Sequence, residues 1–356
     1  MNETREKVLL HTATIPDREK RLLSGRTVLV ILFAALVTAV LISFCLGRYP
    51  VGLNELQGIL RYWLGLYHGK PFWTQTQAIA VWNVRMPRVL LSVLVGAALA
   101  SAGAAFQGAF QNPMASPDIL GASAGAGFGA ALAIFFGFGT AMVTASAFFV
   151  SMITVGLVFF ISRFVKGEKI IGLILSGIMI SSLFQAGTSF IKLAADPGNK
   201  LPAITYWLMG SLVGATRSEV GFVIWPILLG FIPLMILRWR INVVTMGDDA
   251  ARTMGVDPGR VRFASIASAT LLTAASVSVS GMIGWVGLVV PHMMRRLVGS
   301  DHRYLIPASA LGGGLFLLVV DDLSRVLWLN EIPIGIMTAF IGAPFFLMLI
   351  TRRNLT

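Results

Sequence analysis

Apolar runs of about 18–22 residues, almost free of charge, recur along this chain with short polar interludes between them. That is the length a helix needs to cross a hydrocarbon core about 30 Å thick. Inside lipid each spanning segment must satisfy its own backbone polar groups, so the choice is between helices and a closed barrel. The runs lack the alternating segments of roughly ten residues that mark a membrane barrel. Only 12% of the residues are charged and the mean hydropathy is +0.80, against about 25% charge in a soluble domain. The expected fold class is therefore an all-α polytopic membrane protein. Its 37 glycines suit close helix contact in a bilayer.

Ten spans are expected, near 28–46, 89–107, 119–136, 142–162, 170–190, 220–237, 263–280, 281–297, 305–323 and 333–350. The eighth is made irregular by Gly284, Gly287 and Pro291. Residues 1–27 read as a cytoplasmic tail and 28–356 as one ten-helix domain. The segment 48–84 reads as external, with a short amphipathic helix at 53–66 and aromatics suited to the membrane interface. A second external helix is expected at 202–212, capped near Asn199. An even number of spans puts both termini on one side. Nineteen of the 28 Lys and Arg then fall in segments on that side, which the positive-inside rule makes cytoplasmic. The same rule accounts for the net charge of +12 without nucleic acid. Spans 2–5 and 7–10 enter from opposite sides, so any repeat between them is inverted. Gly121, Gly125 and Gly129, four apart, form one face for close packing or for a smooth pore wall.

The longest polar interlude in the second half, MGDDAARTMGVDPGRVR at 246–262, carries helix signals. Asp248 is a candidate N-cap with Asp249 in the first turn, and Gly255 is a natural residue just past a helix end. Asp257-Pro258 restarts a helix with a cap and a proline at its first position. The result is a short helix, an elbow and a second helix. Such an elbow suits docking of a soluble partner, and on capping chemistry alone it is equally an ordinary loop between two spans.

Several chemistries have no residues to carry them. The chain has no GxxxxGK[ST] phosphate loop, no HExxH and no CxxC, so neither a cofactor nor a metal is expected on it. Cys45 is the single cysteine, which rules out an internal disulfide. His292 stands beside Pro291 with no second metal ligand near it in sequence. An ion-coupled secondary carrier needs acids at mid-membrane. The candidates here, Asp321 and Asp322, sit near the outer end of span 9 and are spaced to pair with Arg325. The lack of a buried acidic relay favours a transporter driven by a partner. Arg85, Arg88 and Arg325 stand at the outer mouths of spans 2 and 9, either as anchors at the interface or as a rim for carboxylates.

Four stretches together resemble one family. They are RMPRVLLSVLVGAALASAGAAFQGAFQNPMASPDILGASAGAGFG at 85–129, the 246–262 interlude, GMIGWVGLVVPHMMRRLVGSDHRYLIPASALGGG at 281–314, and DDLSR followed by EIPIGIMTAFIGAPFFLMLI. They are similar to the FecCD family, the permease subunits of type II ABC importers for ferric siderophores, haem and cobalamin. The resemblance implies ten spans and a dimer, with itself or with a related permease. It implies a cytoplasmic ATPase pair that binds ATP and Mg²⁺ and docks on the elbow, here through Gly247, Asp248, Asp249, Ala250, Arg252, Thr253, Met254, Gly255, Val256 and Arg260. It implies a periplasmic or lipid-anchored binding protein whose acidic residues meet Arg85, Arg88 and Arg325. It also implies a cytoplasmic gate at Asn112 and Met114, where methionine replaces the family's common leucine, and a location in the bacterial inner membrane. The second gate strip, near 169–171, matches the family poorly, and the tail has no counterpart. By commonness the expected cargo is a ferric siderophore, then haem, then cobalamin, with an oxyanion last.

Overall fold

The computed structural model describes residues 24–47, 49–165, 169–327 and 331–353. Residues 1–23 of the expected tail lie outside that set, as does Lys166 of the loop after the fourth span. Among the described residues every regular element is helical. In order these are α1 (Gly25–Cys45), α2 (Leu53–Trp63), α3 (Gln75–Ile79), α4 (Met86–Ala109), α5 (Ala122–Phe135), α6 (Thr140–Ser162), α7 (Lys169–Ala194) and α8 (Lys200–Leu208). Then come α9 (Arg217–Thr245), α10 (Asp248–Thr253), α11 (Pro258–Ser280), α12 (Val286–Val298), α13 (His302–Val326) and α14 (Ile334–Arg353).

Seven helical stretches among the described residues are long and apolar enough to cross a membrane, counting 75–109 as one. The helices α5, α12 and α14 stand where spans 3, 8 and 10 are expected, and α5 and α12 have only 14 and 13 residues. Both short helices follow a residue in the left-handed region, Gly121 (φ 79°) and Trp285 (φ 71°). The sets α4–α7 and α11–α14 therefore share a pattern of one long helix, one short and two long. Interrupted helices at matching places in two halves are a mark of inverted-repeat transporters.

Several helices run past their hydropathic limits. The first begins at Gly25, capped by the Ser24 hydroxyl accepting from Thr27 N, so the tail boundary expected at residue 27 falls inside a helix. The second span is led by α3 and a π-helical turn at Ala80–Arg85, which moves 75–84 out of the expected external loop. The sixth reaches Thr245, so Arg238 and Arg240 lie on a helix and not in a loop. It starts from a capping box between Thr216 and Glu219. Ser116 caps a 3-10 turn at Pro117–Leu120, and the chain breaks at Gly121 before α5 begins. The helix expected at 202–212 spans Lys200–Leu208, and Asn199 precedes it without a side-chain capping bond.

The centre of the bundle is α4 and α11, most of whose residues are buried. Backbones meet there because side chains are missing. A Cβ on Gly96 would sit 2.2 Å from Gly313 O of α13, and a Cβ on Gly103 would sit 1.7 Å from Gly287 O of α12. Van der Waals contact of this closeness drives helix association in lipid, where apolar burial supplies little. The glycine face of α5 has the same use. A Cβ on Gly125 would lie 2.1 Å from Thr154 Oγ1, and one on Gly129 would lie 2.5 Å from Ser146 O, both on α6. Of the two readings of that face, close packing is the one observed.

Candidate functional site

Two clusters sit at opposite ends of the bundle. The elbow end is built from α10, α11 and the C-terminus of α4. The last turn of α10 closes as a Schellman motif, with Gly255 N donating to Arg252 O (3.0 Å) and Val256 N to Ala251 O (2.9 Å). Gly255 has φ +74° there, which a side chain would strain. Asp257 caps α11 by accepting from Gly259 N and Arg260 N, with Pro258 at the first turn. Asp248 differs from expectation. Gly247 occupies the N-cap position of α10 with no side-chain bond, because the Asp248 carboxylate is drawn to Arg262 instead, 2.9 Å away. That hydrogen bond holds the Asp248 carboxyl below its ordinary value of 3.8, against the opposing effect of burial. Its contribution is present above that ordinary value and fades as pH falls through the lower folded value, so the pair is intact at neutral pH.

The ten expected elbow residues divide by exposure. Asp249, Arg252, Thr253, Met254, Gly255 and Arg260 face outward, while Gly247, Asp248 and Ala250 are half-buried. Val256 is buried together with Ala251. It thus seats the elbow in the core, unlike the outward-facing members of the set. The outward ion pairs Arg252–Asp249 (3.9 Å) and Arg260–Asp257 (3.2 Å) are well solvated and add little to stability. Their groups remain open to a partner.

Next to the elbow, α4 ends in a second Schellman turn, with Asn112 N donating to Gln107 O (3.1 Å) and Gln111 N to Gly108 O (3.3 Å). Its left-handed residue is Gln111, at φ 51°, where a non-glycine residue costs roughly 1–2 kcal/mol. Its side chain donates to Val244 O at the base of α9 (2.6 Å). Asn112 Oδ1 accepts from Met114 N (2.9 Å), an Asx turn that presents the Met114 side chain, 48% exposed. The expected gate residues are thus held in one tight turn. The expected second strip begins at Lys169, and Ile171 is exposed on the first turn of α7.

At the other end, Arg85, Arg88 and Arg325 come together around one cleft of about 260 Å³, with Glu331 on its wall. Of the two readings open for these arginines, interface anchors or a rim for carboxylates, neither is visible as an exposed basic surface on this chain. The three arginines are only 5–8% exposed, and Asp321 is 0% exposed. Arg88 forks onto Asp321 (Nε 3.0 and Nη2 2.9 Å to Oδ1) and reaches Glu331 (2.7 Å). Arg325 Nε lies 3.3 Å from Asp321 Oδ2 as an ion pair without hydrogen-bond alignment. Its Nη2 meets Asp322 and the Ser43 hydroxyl of α1. The intrahelical pairing expected for Arg325 is therefore present. Arg85 donates to Phe44 O (2.5 Å) and Tyr49 O. Three cations face three carboxylates, so the cluster is neutral and ties α1, α4 and α13 together. The partners of Arg85 and Arg88 lie too far apart in sequence for any local signal. Arg88 and Asp321, for instance, are 233 residues apart.

Cys45 ends α1, half-buried and unpaired. Among the described residues no group of three His, Cys, Asp or Glu is placed to hold a metal.

The FecCD transport family description matches residues 28–352. The chain belongs to the FecCD transport family. Among its relatives, the molybdate import permease MolB of Haemophilus influenzae is 38% identical over 95% of this chain and 97% of its own. The cobalamin import permease BtuC of Halobacterium salinarum is 38% identical over 98% and 93%. The hemin permease HmuU of Yersinia pestis is 37% identical over 80% and 88%. A solved metal-chelate type ABC transporter in an inward-facing conformation superposes with a TM-score of 0.82. It shares 36% identity and covers 92% of this chain and 99% of that one. The all-helical fold is thus that of a type II ABC importer permease. This FecCD chain is a multi-pass membrane permease, a transport component and not a catalyst. Such a permease works with an ATPase and a substrate-binding protein, and the ion-coupled alternative falls away.

Proposed function

We propose that this permease carries a metal chelate, first a ferric siderophore and then haem or cobalamin, across the inner membrane of a bacterium by alternating access. It does so as one of two permease copies, identical or paralogous, over a cytoplasmic ATPase dimer. The elbow end faces the cytoplasm, ten spans place both termini there, and ATP with Mg²⁺ is bound by the ATPase alone. No cofactor is assigned to this chain. Relatives that import iron chelates, cobalamin and hemin support the cargo class.

The observation that carries the reading is the elbow. Two helices locked by a Schellman turn and an Asx cap expose Asp249, Arg252, Met254 and Arg260, while Ala251 and Val256 anchor them in the core. A rigid projection of mixed charge transmits a push, which a flexible loop would absorb. Replacing residues 249–253 with a Gly/Ser linker is expected to lower transport per ATP hydrolysed at least tenfold in proteoliposomes. Unchanged coupling would move the ATPase contact elsewhere.

The arginine end is assigned to the binding protein. Arg88 and Arg325 each hold two acidic groups, so reversing their charge would disturb the fold as well as docking. Arg85 pairs only with backbone carbonyls, and it supplies the cleaner test. Arg85→Gln should weaken binding-protein affinity several-fold and flatten its salt dependence. An unaltered affinity and salt slope would remove Arg85 from the docking set.

A second cargo, an oxyanion, is favoured by the molybdate permease relative. Competition between molybdate and the chelates for uptake separates the two.

A further inference from the structure

At the elbow end, two side chains fasten the coupling arm to the turn that carries Asn112 and Met114. Arg262 is the first. Its Nε donates to Ala109 O, the last residue of α4, at 2.9 Å. Its Nη2 donates to Asp248 Oδ1 on α10, also at 2.9 Å. One guanidinium therefore spans the elbow helix and the end of α4, two residues before Gln111. Gln111 is the second. It sits in a left-handed position that glycine fills more easily, and its amide reaches Val244 O, at the base of the helix leading into the elbow. A residue that keeps a backbone conformation against its own preference, while its side chain makes a bond 133 residues away in sequence, is placed there for the side chain.

We propose that Gln111 and Arg262 are positioning residues that pass movement of the elbow to the 112–114 turn. This rests on the elbow and gate assignments made above. The elbow is internally stiff and moves as a body. When it shifts, the Asp248–Arg262–Ala109 link pulls the end of α4, and the Val244–Gln111 link pulls the turn itself. Neither residue touches cargo or ATPase.

A readout independent of cargo is available at Met114. The permease, in a Cys45→Ser background with Met114→Cys, is assembled with its ATPase, and the maleimide labelling rate is measured with and without ATP and vanadate. The parent rate is expected to change at least fivefold. In Gln111→Gly and in Arg262→Ala the change should shrink to within twofold while the ATPase still copurifies. Gln111→Gly relieves the left-handed strain, so its Tm should equal or exceed the parent's, and a lost response cannot then be assigned to misfolding. Retention of the full response in Gln111→Gly would overturn the proposal, as would a fall of several degrees in its Tm, which marks a structural role. The 249–253 linker variant separates the two levels. If it abolishes the response and Gln111→Gly does not, the transmission assignment fails alone. If the parent itself gives no response, the gate reading fails and takes the proposal with it.

Discussion

Asp321→Ala is expected to destabilise the permease by about 3–5 kcal/mol, the cost of leaving buried charge without its partner. Asp321 is fully buried and is shared by Arg88 and Arg325. Its removal takes one of two carboxylates from each of two buried guanidiniums, leaving Glu331 and Asp322 to face three arginines with one uncompensated positive charge. The loss should appear as a lower Tm and a poor yield of folded protein after detergent extraction. The matched control is Asp249→Ala, which removes an ion pair between a fully exposed Asp249 and a largely exposed Arg252 and should change Tm very little. Equal behaviour of the two variants would mean that the arginine cluster is solvated and not structural. The cluster also bears on docking. On the proposed docking reading, acidic groups of a binding protein would meet arginines that already hold carboxylates and would have to exchange with those or engage the cleft mouth.

Gly103→Val is expected to be nearly as damaging. The new Cβ would fall 1.7 Å from the carbonyl oxygen of Gly287, and backbone on both sides leaves no flexible atom to move. Overpacking usually costs about 1–3 kcal/mol, and forcing α4 from α12 should reach the top of that range or pass it. Gly156→Ala is the contrast, because a Cβ there meets nothing within 4 Å. That substitution should leave Tm unchanged or raise it slightly through helix propensity. Similar Tm values for Gly103→Val and the parent would show that α4 and α12 are not in close contact.

The chain's alternation of apolar runs and polar breaks placed most helices correctly, since hydropathy reports the hydrocarbon thickness directly. It misjudged their ends for the same reason. Helices continue into water as long as their backbone bonds and caps are satisfied, as α9 does through Arg238 and Arg240 to Thr245. The elbow was readable because Gly255 and Asp257-Pro258 act on their immediate neighbours. Asp248 misled because the same carboxylate that can cap its own helix can also pair with Arg262, 14 residues on, and only the tertiary arrangement decides between them. The neutral character of the arginine cluster was hidden likewise. Arg85 and Arg88 read as interface anchors or a rim at the mouth of span 2 until Asp321 and Glu331 are brought against Arg88 by packing of α4 on α13. Arg262 and Gln111 carry no local signal of their contacts, although an unusual φ at Gln111 marks it once the backbone is known.

Import through this chain is proposed to be driven by ATP. Its most direct test is reconstitution of the permease with its ATPase and binding protein in liposomes, followed by uptake of labelled ferric siderophore, haem, cobalamin and molybdate. Accumulation of one of them that requires both ATP inside the ATPase compartment and the binding protein is the predicted result. Accumulation without ATP hydrolysis, driven instead by an imposed proton or sodium gradient, would contradict it.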